Sequence, residues 1–150
     1  MLEVKQQARS RFAAPIPPSG LTIAEAATRT GVSVHTLRYY ERAGLVVSTV
    51  ERNSSGRRRY HRDDLYWILF CTKLRATGMP IKTMRRYAEL IVEGPGNEKE
   101  RLALLESHQA DVTAKLAELQ ENLTQIDRKV NTYRERLAAG DADQLWTPPA

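Results

Sequence analysis

One cysteine, Cys71, stands among 150 residues. A lone thiol excludes an intrachain disulfide framework and a metal site built from cysteine alone. Aromatics make up only 7% of the chain, so the core is expected to be aliphatic. No apolar run reaches the roughly 18 residues that a helical membrane span requires. No apolar stretch precedes a small-residue cleavage site near the start, so no secretory signal is expected and the cytoplasm is the expected location. The three histidines, His35, His61 and His108, are scattered without ligand spacing. No Ser/His/Asp set is visible, and Cys71 has no histidine beside it in sequence. Neither catalysis, nor a metal, nor another cofactor is expected.

What is present is charge, unevenly spread. Apolar residues make up 41% and charged residues 27%, ordinary for a soluble protein, yet the net charge is +5. Residues 1–93 hold 16 Lys/Arg against 8 Asp/Glu, while residues 94–150 hold 7 against 10. A basic part joined to a mildly acidic part suggests a polyanion-binding module with an appendage. The length suits one small domain plus such an appendage.

Residues 1–20 read as a flexible lead, broken by Pro15, Pro17, Pro18, Ser19 and Gly20. Its Lys5, Arg9 and Arg11 are cations in a solvated arm. A first helix follows Thr22, whose T-x-x-E spacing with Glu25 is that of a capping box. Gly31 suits a tight turn, and Ser33 offers an N-cap to a second helix through about Ala43. Two β-prone pieces, Val46–Val50 and Arg58–Tyr60, flank the turn signal Asn53-Ser54-Ser55-Gly56. A third helix is expected after Asp63 or Asp64 and a stop at Gly78. Pro80 suits the first turn of a fourth, ending near Glu93.

The last long segment has the strongest periodicity. Leu102, Gln109, Leu116, Leu123, Val130 and Leu137 fall at heptad position a, with Leu105, Val112, Leu119, Ile126 and Tyr133 at d. All but Gln109 are apolar, which argues a coiled coil over 97–137. A helix of some 40 residues spans roughly 60 Å, too far to bury its stripe on a core of about 90 residues. It needs a partner helix, most simply its own copy, so the ten apolar positions are the expected dimer contacts. An antiparallel pairing about Gln120 matches Glu106 with Arg134 but sets Lys115 against Lys129. A parallel pairing sets Lys129 against Arg134. Residues 138–150 are expected to form a frayed, flexible tail.

Two motifs carry the chemistry. Counting from Ile23, the small Ala27, the turn residue Gly31 and the apolar Val32, Leu37 and Tyr40 occupy helix-turn-helix positions. The outer face of the second helix then presents Ser33, Val34, His35, Thr36, Arg38 and Tyr39, suited to a major groove. A plain helical hairpin is the simpler alternative. The second motif is Arg57-Arg58-Arg59-Tyr60, preceded by Arg52. Guanidinium groups on a hairpin tip grip phosphates or lie along a groove. Directly after a helix-turn-helix, the cluster reads as a wing rather than a solvated hairpin.

The run LTIAEAATRTGVSVHTLRYYERAGLV, followed by SSGRRRYHRDDL and LRATGMPIKTM, resembles the MerR family of bacterial transcription regulators. The resemblance spans about Leu21 to Leu137. It is nearest to the small aldehyde- and electrophile-responsive subgroup, where GMPIKTMRRYAELIVEG and LQENLTQIDRKVNTYRERL have counterparts. It implies a mainly helical fold with a small β-hairpin wing. A winged helix-turn-helix over 21–93 would precede an antiparallel dimerisation coiled coil. Arg38, Tyr39 and residues Arg57 to Tyr60 match DNA-contacting positions, and Lys73, Arg75 and Lys82 lie where a second wing would be. The implied partners are a second copy, double-stranded promoter DNA and, through that promoter, RNA polymerase, with no membrane. Such regulators bind an inverted repeat and change its twist and bend in response to an effector.

Electrophile-responsive relatives place a cysteine just before an R-x-x-G stretch, where this chain has Lys73. Cys71 lies two residues earlier, about 200° around a helix. Beside Ile68 and Leu74 it reads as a buried small hydrophobe. Tyr66, Trp67, Met84 and Tyr87 either line a small-molecule pocket or are core; the core reading is the simpler. A competing function is a coiled-coil interaction module whose basic head binds an acidic partner other than DNA.

Overall fold

The structure, a computed structural model, describes residues 14–47, 53–142 and 145. Lys5, Arg9 and Arg11 of the lead, Ser48–Val50 of the first β-prone piece and Arg52 lie outside the described residues. The described residues form five helices: α1 Ile23–Thr30, α2 Val34–Arg42, α3 Arg62–Ala76, α4 Ile81–Glu93 and α5 Glu98–Ala139. The chain divides into two compact units, Met1–Glu106 and Ser107–Ala150. No helix among the described residues is long and apolar enough to cross a membrane.

In the first unit the helix ends follow local chemistry. The Thr22 hydroxyl accepts the Glu25 N–H at 3.3 Å, and the Glu25 carboxylate accepts the Thr22 N–H at 2.7 Å. Orphan amides at the start of α1 are thereby satisfied. Gly31 ends the helix with φ 71°, a left-handed turn that costs glycine nothing. The Ser33 hydroxyl then caps α2 by accepting the Thr36 N–H at 3.0 Å. α3 starts earlier than its sequence suggests, at Arg62. Asp64 lies inside the first turn, where its Oδ2 accepts the His61 N–H at 2.7 Å and closes the helix start from within. Pro80 stands at the N-cap of α4, one place before the expected first turn.

The described residues contain no strand, and Ser48–Val50 of the first piece of the expected β-hairpin lie outside them. The turn itself is present. The Asn53 side chain accepts the N–H groups of Ser55 and Arg57 at 3.1 and 2.9 Å, and the Asn53 N–H donates to the Arg57 carbonyl at 2.9 Å. Beyond the turn, Tyr60 pairs with Leu21 in a single antiparallel bridge with N–H to O distances of 2.8 and 2.9 Å. The cause is burial. Leu21 and Tyr60 both lie in a core cluster with Ala26, Val32, Leu37, Leu65 and Ile68. Each apolar side chain so buried stabilises by about 1.5–3 kcal/mol.

A second cluster gathers Tyr40, Ala43, Leu45, Cys71, Met79 and Met84. Leu37 and Tyr40 thus both face inward, as their helix-turn-helix places require. Trp67 donates its indole N–H to the Leu45 carbonyl and stacks on Tyr87, with 5.9 Å between ring centroids. Trp67 packs against this second cluster, and Met84 and Tyr87 are buried, so these residues are core. Leu105, at a heptad d position, packs against the second cluster and is only partly exposed.

The second unit is built on α5. Its Leu116, Leu119, Leu123 and Ile126 are between 47% and 65% exposed. α5 runs through Ala139, two residues into the segment expected to be a tail. Gly140, at φ 74°, donates to the Leu137 carbonyl at 3.3 Å, and Asp141 donates to the Arg136 carbonyl at 3.1 Å. These bonds form a Schellman closure, which satisfies the last carbonyls of the helix.

Two outcomes follow from the core. Gly20 has φ 68°, and a Cβ there would meet the His61 ring at 2.9 Å. Gly20→Ala is expected to cost about 1–3 kcal/mol, read as a lower urea midpoint; an unchanged midpoint would refute the close fit. Burial pushes the Cys71 thiol up to about 12, so at pH 7 only about one molecule in 10⁵ carries the thiolate. A thiol reagent at neutral pH should therefore label the native protein far more slowly than the urea-unfolded chain. Cys71→Ser should cost about 1–2 kcal/mol for burying a hydroxyl. Equal labelling rates in the two states would overturn this.

Candidate nucleic-acid interface

The amino end of α1, the outer face of α2 and the turn at 53–57 surround one cleft. Its volume is about 560 Å³, and its walls include Thr22, Ile23, Ala24, Arg38, Glu41, Arg57 and Arg59. Several guanidinium groups face one carboxylate, so the cleft attracts anions.

The outer face of α2 is where the helix-turn-helix reading puts it. His35, Arg38 and Tyr39 are exposed. Ser33 and Thr36 stand at the helix start, but their hydroxyls are 2.9 Å apart and bonded to each other. Ser33 also caps the helix, so its first duty is structural. The Tyr39 ring leans on that of Tyr40, with centroids 6.2 Å apart, which fixes its direction.

The wing arginines separate into different roles. Arg57 is exposed. Arg59 is partly buried and donates to the carbonyls of Ser19 and Gly20 at 2.8 and 2.6 Å, stitching the wing stem to the start of α1. Arg58 and Tyr60 turn inward, against the expectation that the whole run faces outward. Arg58 is 8% exposed and Tyr60 2%. Extended backbone alternates its faces, so 58 and 60 share the side opposite 57 and 59. Burial also holds the Tyr60 phenol above its usual range.

Of the residues placed at a second wing, Lys73 and Lys82 are exposed on α3 and α4. Arg75 donates to the Met79 carbonyl at 2.7 Å and so braces the turn between those helices. None of the three lines the cleft. Among the described residues no group of His, Cys, Asp or Glu is gathered to hold a metal ion.

Sequence reasoning missed the residues that hold the reading elements. Glu41 and Asp64 flank Arg58 at 3.9 and 3.6 Å. Arg85 donates to the Ala43 carbonyl at 2.8 Å and secures the end of α2. The period-two alternation of Arg58 and Tyr60 was the available signal for the first set. Arg85 has no local signal, because its partner lies on a distant element.

Residues 21–90 match the family described as MerR HTH family regulatory protein. An uncharacterized HTH-type transcriptional regulator of Haemophilus influenzae is 35% identical over 127 residues, covering 85% of this chain and 93% of the relative. A putative MerR family transcriptional regulator from Listeria monocytogenes superposes with a TM-score of 0.76 at 36% identity, over 81% of this chain and 91% of the other. HiNmlR, a MerR family regulator lacking the sensor domain and solved bound to promoter DNA, superposes with a TM-score of 0.71 at 36% identity, over 81% and 95%. With this helix-turn-helix, these lengths of match and relatives that are transcriptional regulators rather than enzymes, the chain belongs to the MerR HTH family.

Proposed function

We propose that this chain is a homodimeric regulator that binds an inverted repeat in promoter DNA. Through its own conformation it sets the twist and bend of that DNA in response to an effector. The observation that carries the reading is the basic cleft, where Arg38 of α2 and Arg57 of the wing stand on the walls of one groove. A recognition helix enters the major groove of DNA while flanking cations hold the phosphates. The promoter-bound state of HiNmlR supports DNA as the polyanion.

In this reading His35, Arg38 and Tyr39 face base edges and phosphates. Thr36 and Ser33 fix the helix start, and Arg57 takes a backbone phosphate. Lys73 and Lys82 serve the flanking phosphates, while Arg75 braces the turn between α3 and α4. RNA polymerase meets the regulator only through the shared promoter. Distorting a promoter costs several kcal/mol that depend on its sequence, so two protein conformations can give two promoter geometries.

The dimer rests on α5. Leu116, Leu119, Leu123, Ile126, Val130, Tyr133 and Leu137 leave 38% to 66% of their surface in water, and Leu102 leaves 54%; Val112 is the half-buried member of the row. A row of apolar residues at heptad spacing is stable when a second helix covers it. The antiparallel arrangement, with Glu106 against Arg134, is the one we favour.

Sedimentation at micromolar concentration should give a dimer, and a monomer there would refute the pairing. Arg57→Ala should lower the slope of log affinity against log salt by about one for each protomer, the loss of one phosphate contact. Arg38→Ala should cost roughly 1–3 kcal/mol of affinity and leave melting intact, since Arg38 is exposed. Equal affinity and slope in both variants would refute the interface. An acidic protein that competes with DNA equally well at every salt concentration would favour the interaction-module reading.

A further inference from the structure

Arg58 sits at a junction of three elements. Its Nη1 lies 3.9 Å from Oε1 of Glu41, on the last turn of α2. Its Nη2 lies 3.6 Å from Oδ1 of Asp64, on the first turn of α3. Its Cζ stands 5.1 Å over the Tyr60 ring. The side chains of Arg58 and Asp64 are 5% and 7% exposed, and that of Glu41 is 31% exposed. Asp64 divides its carboxylate: one oxygen faces Arg58, and the other accepts the His61 N–H that opens α3.

We infer that Arg58 is a positioning residue that sets the angle between the wing and the recognition helix, and so the discrimination between operator and random DNA. The inference rests on the reading that α2 and the wing share one duplex. Arg57 and Arg58 then differ in kind. Arg57 is exposed and takes its counter-charge from DNA. Arg58 already has carboxylates on either side within the protein, so it releases no counterion when DNA arrives. Its guanidinium joins a carboxylate of α2 to one of α3, and the wing stem carries it. A buried charge held between carboxylates at 3.6 and 3.9 Å resists displacement, because removing either one raises the desolvation cost left on the rest. The wing therefore cannot tilt without pulling Arg58 from Glu41 or from Asp64. Non-specific binding tolerates such a tilt, because phosphates recur along every duplex. Base readout does not, because side chains must meet particular edges.

The test uses two duplexes of equal length: one selected by the wild-type protein from a random-sequence pool, and a shuffled version of it. Arg58→Met removes the charge and keeps the packing over Tyr60. It is expected to weaken the selected duplex about tenfold relative to the shuffled one, with an unchanged salt slope and a cooperative melt. Both duplexes weakening equally, with the slope falling by about one, would make Arg58 a phosphate contact and overturn the inference. An unchanged ratio would overturn it as well.

If Arg58→Met fails to fold, Glu41→Gln decides, because it leaves the Arg58–Asp64 pair intact. Positioning predicts that this variant loses selectivity. Simple repulsion between Glu41 and DNA predicts that both duplexes bind more tightly with the ratio unchanged, which would overturn the inference. Where both variants fold, the double variant should lose little more than either single one, since both cut the same tie; full additivity would overturn it. The two readings fail separately. Wild-type protein without salt-dependent DNA binding would sink the proposed function itself, whereas wild-type binding with an unaltered ratio in the variants sinks only the role of Arg58.

Discussion

The pairing of Leu21 with Tyr60 is the constraint on which the first unit depends. Two backbone hydrogen bonds join the residue before the first capping box to the last residue of the wing run. Both side chains are buried with Leu37, Leu65 and Ile68. That one contact ties α1, the base of the wing and the start of α3 into the same core. Arg59 reinforces it by binding the Ser19 and Gly20 carbonyls from the outer side. Without it the Asn53 turn would still close, because its bonds are local, but the stem would lose its anchor in the core.

The basic charge of this unit is divided between reaching out and holding still. Arg58, Arg59, Arg75 and Arg85 donate to or pair with groups of the protein itself. Exposed cations include Arg38 and Arg57, with Lys73 and Lys82 further along the chain. A count of cations therefore overstates the charge offered to a partner. The planar guanidinium suits the inner task, since it satisfies carbonyls and carboxylates in fixed directions where a lysine would supply a point charge.

Local signals made α1 and α2 legible. The Thr22/Glu25 box, Gly31 and the Ser33 cap are each short-range patterns, and each formed as its spacing implies. The long helix α5 was legible from its periodicity, whereas the contact of Leu105 with the second cluster is long-range and carries no such signal. Of the site, the outer face of α2 followed from its helical register. The wing did not, because four consecutive residues of one run carry no local signal for which of them face the protein. Their alternation in an extended segment separates Arg58 and Tyr60 from Arg57 and Arg59, and only the long-range bridge to Leu21 decides which pair goes inside. α3 starts earlier than the Asp63–Asp64 pair suggests, because Asp64 closes the helix start from within its first turn.

The turn at the head of the wing contrasts with its stem. Gly56 has open space around the position of a Cβ, whereas Gly20 at the stem is crowded by His61 and Arg59. Substitution at the tip disturbs no packing, and asparagine or aspartate adopts the φ of 71° found there at small cost. The stem is closed to change while the tip is free to drift. Across generations, the groups that such a tip presents can be exchanged without refolding the domain, so new binding preferences become reachable through single neutral steps.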